Sequence, residues 1–194
     1  MSIAHPEGQD AGRWRPWLAI LAILVATGLY LWLSGRSLIC DCGYVLLFTG
    51  ADDPGGSLHV SDWYTLSHVI HGFLFYAALW LVARKVPLRW RLVIAVAVEA
   101  VWEIFENSAF IIERYRAVTI SLDYNGDTVL NSICDILAMM LGFWAARRLP
   151  VWGSVVAILA FEALAAWAIR DGLALNILML IWPLQAVLDW QAGG

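Results

Sequence analysis

Charged residues are scarce in this chain: Asp, Glu, Lys and Arg make up 14% of its 194 residues, against 61% hydrophobic. A soluble domain has about 25% charged residues and is nearer half apolar, so an ordinary soluble fold is excluded. Clusters of basic residues are missing too, and no nucleic-acid-binding motif is recognisable, which argues against a nucleic-acid partner. Three cysteines cannot build a disulfide framework. No internal repeat is evident, so an inverted-repeat transporter gains no support. The first apolar run is longer than the h-region of a signal peptide and no small-x-small cleavage site follows it, so it reads as a retained anchor.

What is present is length in apolar segments. The mean hydropathy is +0.71, and six segments approach the roughly 20 residues that cross a bilayer. They run Pro16–Ser34, Tyr64–Val82, Arg91–Ile112, Val129–Ala146, Val151–Ile169 and Leu173–Leu188. The last is short and carries Asn176, Pro183 and Gln185, so it either spans or lies along the surface. The expected fold is all-α: a polytopic transmembrane helical bundle of five to six spans. Residues 1–15 are expected to form a disordered cytoplasmic tail, residues 16–190 a single helical domain, and residues 35–64 an external loop. Pro16 is placed at a helix start, where its missing N–H does no harm.

Basic residues set the orientation. Arg13, Arg15, Arg84, Lys85, Arg89, Arg91, Arg147 and Arg148 fall on one side, leaving Arg36, Arg114, Arg116 and Arg170 for the other. The N-terminus is therefore expected in the cytoplasm of a bacterial inner membrane, with the multi-pass bundle opening its long loop outward. Cys40 and Cys42 lie in that loop, as ordinary cysteines, a local disulfide or a soft-metal pair. Asp52 to Gly56 reads as a turn.

Three glutamates, Glu99, Glu103 and Glu106, sit inside the third segment on one stripe about 60° wide. A carboxylate at mid-bilayer costs about 2.5–3.5 kcal/mol, so three unpartnered ones would cost about 8–10 kcal/mol. They must face protein, water, protons or a cation. The second segment carries Ser67, His68 and His71, and the fourth carries Asp127, Asn131 and Asp135 at i, i+4, i+8. At 1.5 Å per residue, His68 and His71 lie about 6 and 10 Å from the outer end, Asn131 and Asp135 about 4 and 10 Å, and Glu106 and Glu103 about 9 and 13 Å. Three helices thus bring ionisable groups to one depth, with Asn107 and Ser67 beside them. Asp127 reads equally as a helix cap. Glu99, the deepest, is left without a partner and reads as simply protonated. Arg114 and Arg116 either pair with Glu113 or Asp123 or draw an anionic head group.

Two imidazoles with several carboxylates suit a hard or borderline divalent cation, which can activate water toward an ester or phosphoester. In that version His68, His71 and Asp135 are metal ligands and Glu103 or Glu106 is the general base. The same groups can instead relay protons or a coupling cation in a transporter, or act as interhelical glue.

Trp63 to Phe73, Glu103-Ile-Phe-Glu-Asn107 and Tyr124 to Asp135 resemble an uncharacterised alphaproteobacterial family of multi-pass cell-membrane proteins. More distantly, the order of His-bearing helix, Glu-bearing helix and Asp/Asn-rich helix ending in Gly142 is similar to VanZ-like membrane proteins. The resemblance implies a membrane bundle and leaves the reaction open. The expected function is an outward-facing polar pocket within the membrane that binds or modifies an anionic lipid or lipid-linked envelope substrate, with a divalent metal as candidate cofactor.

Overall fold

The computed structural model describes residues 7–50, 55–119 and 124–193, with side chains from residue 14 onward. Among the described residues every regular element is helical. They are α1 (Glu7–Leu33), α2 (Thr65–Val82), α3 (Leu88–Glu106), α4 (Ala109–Val118), α5 (Val129–Arg148), α6 (Val151–Ile169), α7 (Leu173–Ile181) and α8 (Gln185–Gln191), with one 3₁₀ turn at Gly56–Leu58. Four helices are long and apolar enough to cross a membrane: Trp14–Leu33 of α1, then α2, α5 and α6. Their outward faces are apolar, with Val151 83% and Trp167 80% exposed, as lipid contact requires.

α3 is as long as these, but its inward stripe is mixed. Leu92, Ala95, Val96, Glu99, Ala100 and Glu103 follow helical spacing and are all buried. The core proper joins α1, α3 and α5 through Ile20, Leu92, Val96, Ile136, Met139 and Phe143.

Three helix boundaries differ from the sequence reading, each for a local reason. The third segment does not run unbroken to Ile112: Asn107 ends α3, and Ser108 caps α4 by accepting from Ile111 N. Pro16 lies inside α1, which begins at Glu7, so one carbonyl of the preceding turn loses its donor. Leu173–Leu188 is divided into helices of nine and seven residues, about 14 and 10 Å long. Pro183, between them, cannot continue α7.

α2 and α5 meet backbone to backbone. A Cβ built on Gly72 would overlap the Met139 carbonyl, the Phe143 amide and Gly142, and one on Gly142 would overlap the Val69 carbonyl. Only glycine lets two helix backbones touch in this way. The loop before α2 then folds over the start of α5. Thr128 N, Val129 N and Leu130 N donate to the carbonyls of Ser57, Ser37 and Leu38 at 3.2, 2.9 and 3.1 Å. These are donors a helix N-terminus leaves unpaired. Thr128, not Asp127, is the cap of α5, accepting from Asn131 N. In the same loop Cys40 and Cys42 form a disulfide. Residues 52–54 of the expected turn lie outside the described residues.

Gly72→Ala and Gly142→Ala are each expected to cost about 1–3 kcal/mol by overpacking, read as a lower melting temperature in detergent. Gly50→Ala, at a position with nothing within 4 Å of an added Cβ, is the neutral control. Unchanged melting of both crossing variants would show that the α2–α5 contact does not carry the fold.

Candidate functional site

The α2–α5 crossing places His68 of α2 one turn before Gly72, and Asp135 of α5 one turn before Met139, each toward the N-terminus of its helix. α3 supplies the third wall. His68 Nδ1 lies 2.7 Å from Glu99 Oε1 and 3.4 Å from Glu103 Oε1, while its Nε2 faces Asp135 Oδ2 at 3.8 Å. With carboxylates on both sides of Nδ1, the proton of a neutral ring belongs there, and Nε2 keeps its lone pair. Asp135 is held from its other oxygen by the Thr65 hydroxyl at 3.0 Å.

Glu99 is the main revision. It is fully buried and accepts from both histidines, with His71 Nδ1 at 3.0 and 3.1 Å from its two oxygens. Depth along the helix axes leaves Glu99 without a partner, but an imidazole reaches across more than one turn. The trio His68, His71 and Asp135 is consequently divided. His68 stands between Glu99 and Asp135, whereas His71 is turned to Glu99 and packs against Phe75 and Trp102.

Nearer the open end, Asn107 and Asp127 form a reciprocal pair. Asn107 Nδ2 donates to Asp127 Oδ2 at 2.9 Å, and Asp127 N donates to Asn107 Oδ1 at 2.7 Å. Tyr124 donates to Asp127 Oδ1 at 3.1 Å. Tyr115 lies 3.2 Å from Glu106 Oε1 and 2.6 Å from Asn176 Oδ1 of α7. Asn131 donates to the His59 carbonyl at 3.0 Å, tying the loop to α5. Arg114 is spent on the Leu180 carbonyl, and Arg116 on the Tyr124 carbonyl and Asn125 side chain. Asp123, a suggested partner for either arginine, lies outside the described residues.

These groups enclose a polar cavity of about 50 Å³, with Asp62, Tyr64, His68, Glu106, Asp127, Asn131 and Asp135 among its walls. An apolar groove of about 370 Å³ adjoins it, shaped by Leu74, Phe75, Val98, Trp102, Leu173 and Ile177. Tyr64, His68, Glu106, Tyr115 and Asn176 line both. Ser67 and His71 belong to the groove alone, and Asn107 to neither. Among the described residues, no lysine or arginine lines either space.

Three sets of potential ligands overlap here, each with its ligand atoms within 4.8 Å of one another: His68, His71 and Glu99; His68, Glu103 and Asp135; Glu103, Glu106 and Asp127. So many carboxyls in one low-dielectric volume cannot all stay charged without protons or a cation. Sequence reasoning missed Asp62, Tyr64, Tyr115, Tyr124 and Asn176. Asp62 had a readable signal as a turn residue ahead of α2, and accepts from Tyr64 N and Thr65 N. The tyrosines had none, because their hydroxyls are aimed by packing between helices.

Burial pushes the Asp62 carboxyl above its ordinary 3.8, against the Tyr64 amide and His68, which pull it down. Asp171, which accepts from the Tyr64 hydroxyl at 2.9 Å, is likewise raised by burial. A carboxyl that binds its proton more tightly folded than unfolded stabilises the fold at low pH and loses that contribution as pH rises through its raised value. Metal-free protein is therefore expected to melt at higher temperature as pH is lowered from 7 toward 4. Asp62→Asn and Asp171→Asn should each flatten the trend, and a melting temperature insensitive to both substitutions would contradict it.

Comparison with known proteins matches residues 31–193 to a family described as protein of unknown function (DUF2585). A UPF0314 protein of Paracoccus denitrificans is 62% identical over 91% of this chain and 92% of its own. A UPF0314 protein of Sinorhizobium fredii is 50% identical over the full length of both chains. One from Agrobacterium fabrum is 49% identical over 90% and 89%. No solved structure matches. The agreement runs through the helices that build the cavity, and the chain belongs to the DUF2585 family of proteins of unknown function.

Proposed function

We propose that this is a multi-pass inner-membrane protein whose α2–α3–α5 cluster binds a divalent cation and acts on the head group of a lipid or lipid-linked envelope substrate. The observation that carries the reading is the geometry at His68. Its Nδ1 is anchored on Glu99, and its Nε2 points at Asp135 across 3.8 Å. That gap is too long for a hydrogen bond. Two ligands bound to one ion at about 2.0–2.2 Å stand roughly 3.3 Å apart at a tetrahedral angle and about 4.2 Å when opposed, so 3.8 Å lies within that range. A carboxylate–histidine pair behind a metal ligand is also the usual way of fixing its tautomer.

α3 is the fifth span in this reading, its carboxylates turned inward and its N-terminal basic residues left at the cytoplasmic side. The cavity then opens on the outer face. The carboxylates of the wall repel an anionic head group unless a cation stands between them, and the adjoining apolar groove suits the chain of an amphiphile. The cation would supply Lewis acidity toward an ester or phosphoester oxygen. Glu106 lines both the polar cavity and the groove, so it is placed to take the proton of an attacking water. Glu103 lines neither, which makes it a ligand in preference to a base. His71, through Glu99, positions His68.

Purified protein loaded with Zn²⁺ or Mn²⁺ and dialysed is expected to retain metal, with affinity at least tenfold weaker in His68→Ala and Asp135→Asn. Glu99→Gln should weaken it about 10–100-fold. A wild type that holds no divalent cation would remove the metal reading. Loaded protein should cleave a chain-bearing ester or phosphoester in mixed micelles and spare its water-soluble counterpart. Proton- or cation-driven flux in liposomes, abolished by Glu103→Gln, would favour a transporter instead. Variants that lose stability and nothing else would favour interhelical glue.

A further inference from the structure

We infer that the cluster is built for two cations, with the Glu103 carboxylate shared between them. This rests on the metal reading above and concerns the number of ions and their bridge. Two of the ligand sets, His68–Glu103–Asp135 and Glu103–Glu106–Asp127, meet at one residue. That residue is 1% exposed, and its Oε1 has no hydrogen-bond partner. The nearest donor, His68 Nδ1 at 3.4 Å, is directed at Glu99 Oε1 at 2.7 Å.

The other carboxylates of the cluster are provided for. Glu99 accepts from two imidazoles, Asp135 from Thr65, Asp127 from Asn107 and Tyr124, and Glu106 sits beside Tyr115. A buried carboxylate oxygen left bare is costly, and native structures leave few such groups without a functional or ionic reason. The bare atom belongs to the residue that both sets need.

The two halves differ in chemistry, and with two ions Glu106 serves as a ligand instead of the base of the single-ion reading. His68, Glu103 and Asp135 offer nitrogen and oxygen to a borderline ion such as Zn²⁺ or Mn²⁺, while Glu103, Glu106 and Asp127 offer oxygen alone, which suits Mg²⁺, Mn²⁺ or Ca²⁺. Each hydrogen-bonded carboxylate keeps lone pairs free for an ion, since a carboxylate has about four acceptor sites. A shared carboxylate holds two ions at about the 3.5–4 Å at which a pair acts together on one ester or phosphoester.

The test is metal stoichiometry and electron paramagnetic resonance of the full-length chain in detergent, loaded with Mn²⁺. The expected result is two equivalents per chain and an exchange-coupled spectrum. Asp127→Asn should leave one equivalent with an uncoupled six-line signal, and Glu103→Gln should abolish the coupling and weaken both sites at least tenfold. One equivalent in the wild type overturns the inference and leaves the single-ion reading standing. Two equivalents without coupling overturn the shared carboxylate. No bound metal overturns both readings. If Asp127→Asn does not fold, Glu106→Gln tests the same oxygen site, and the wild-type spectrum decides the bridge.

Discussion

The backbone contact between Gly72 and Gly142 is the constraint on which the site depends. Because neither residue has a Cβ, α2 and α5 meet at Met139 and Val69 with main chain against main chain. One turn outward from that contact, short side chains suffice to span the gap: Thr65 reaches Asp135, and His68 stands between Asp135 and α3. With larger residues at the crossing the helices would stand farther apart, and the 3.8 Å separation of Nε2 and Oδ2 would open. The apolar packing of Ile136, Met139 and Phe143 against α1 and α3 stabilises the same arrangement from behind.

Each carboxylate of the acidic stripe on α3 meets a different environment. Glu99 accepts hydrogen bonds at depth from two imidazoles. Glu106, at the helix end, has Tyr115 and the cavity. Glu103 lies between them, buried and with one oxygen bare. The series along one face of a single helix grades from a carboxylate hydrogen-bonded at depth, through one with a bare oxygen, to one at the cavity. The break at Asn107–Ser108 contributes to that order. It lets Asn107 turn back to hold Asp127, which an unbroken helix to Ile112 would have prevented.

The cavity is amphipathic in the way its surroundings are. Its polar half is roofed by the loop that supplies carbonyls to the N-terminal amides of α5, and its apolar half runs out between α2, α3 and α7. α7 takes part because Pro183 ends the last apolar segment early, leaving a short helix whose Asn176 reaches Tyr115. A residue that weakened the case for a span is thereby part of the wall.

Much of this was legible in the order of residues alone. Hydrophobic length specified an all-helical bundle with helices apolar enough to cross a membrane. Helical spacing put Glu99, Glu103 and Glu106 on one stripe and Asp127, Asn131 and Asp135 on another, and equal depth brought His68 to meet them. Depth is one coordinate, however, and a site has three. Which imidazole nitrogen faces which carboxylate, that Glu99 anchors both histidines, and that His71 turns away from Asp135 follow from helix rotation and crossing distance. Those were decided only when Gly72 met Gly142 in the folded bundle, because close contact between distant segments is set by packing and leaves no periodic trace in the sequence.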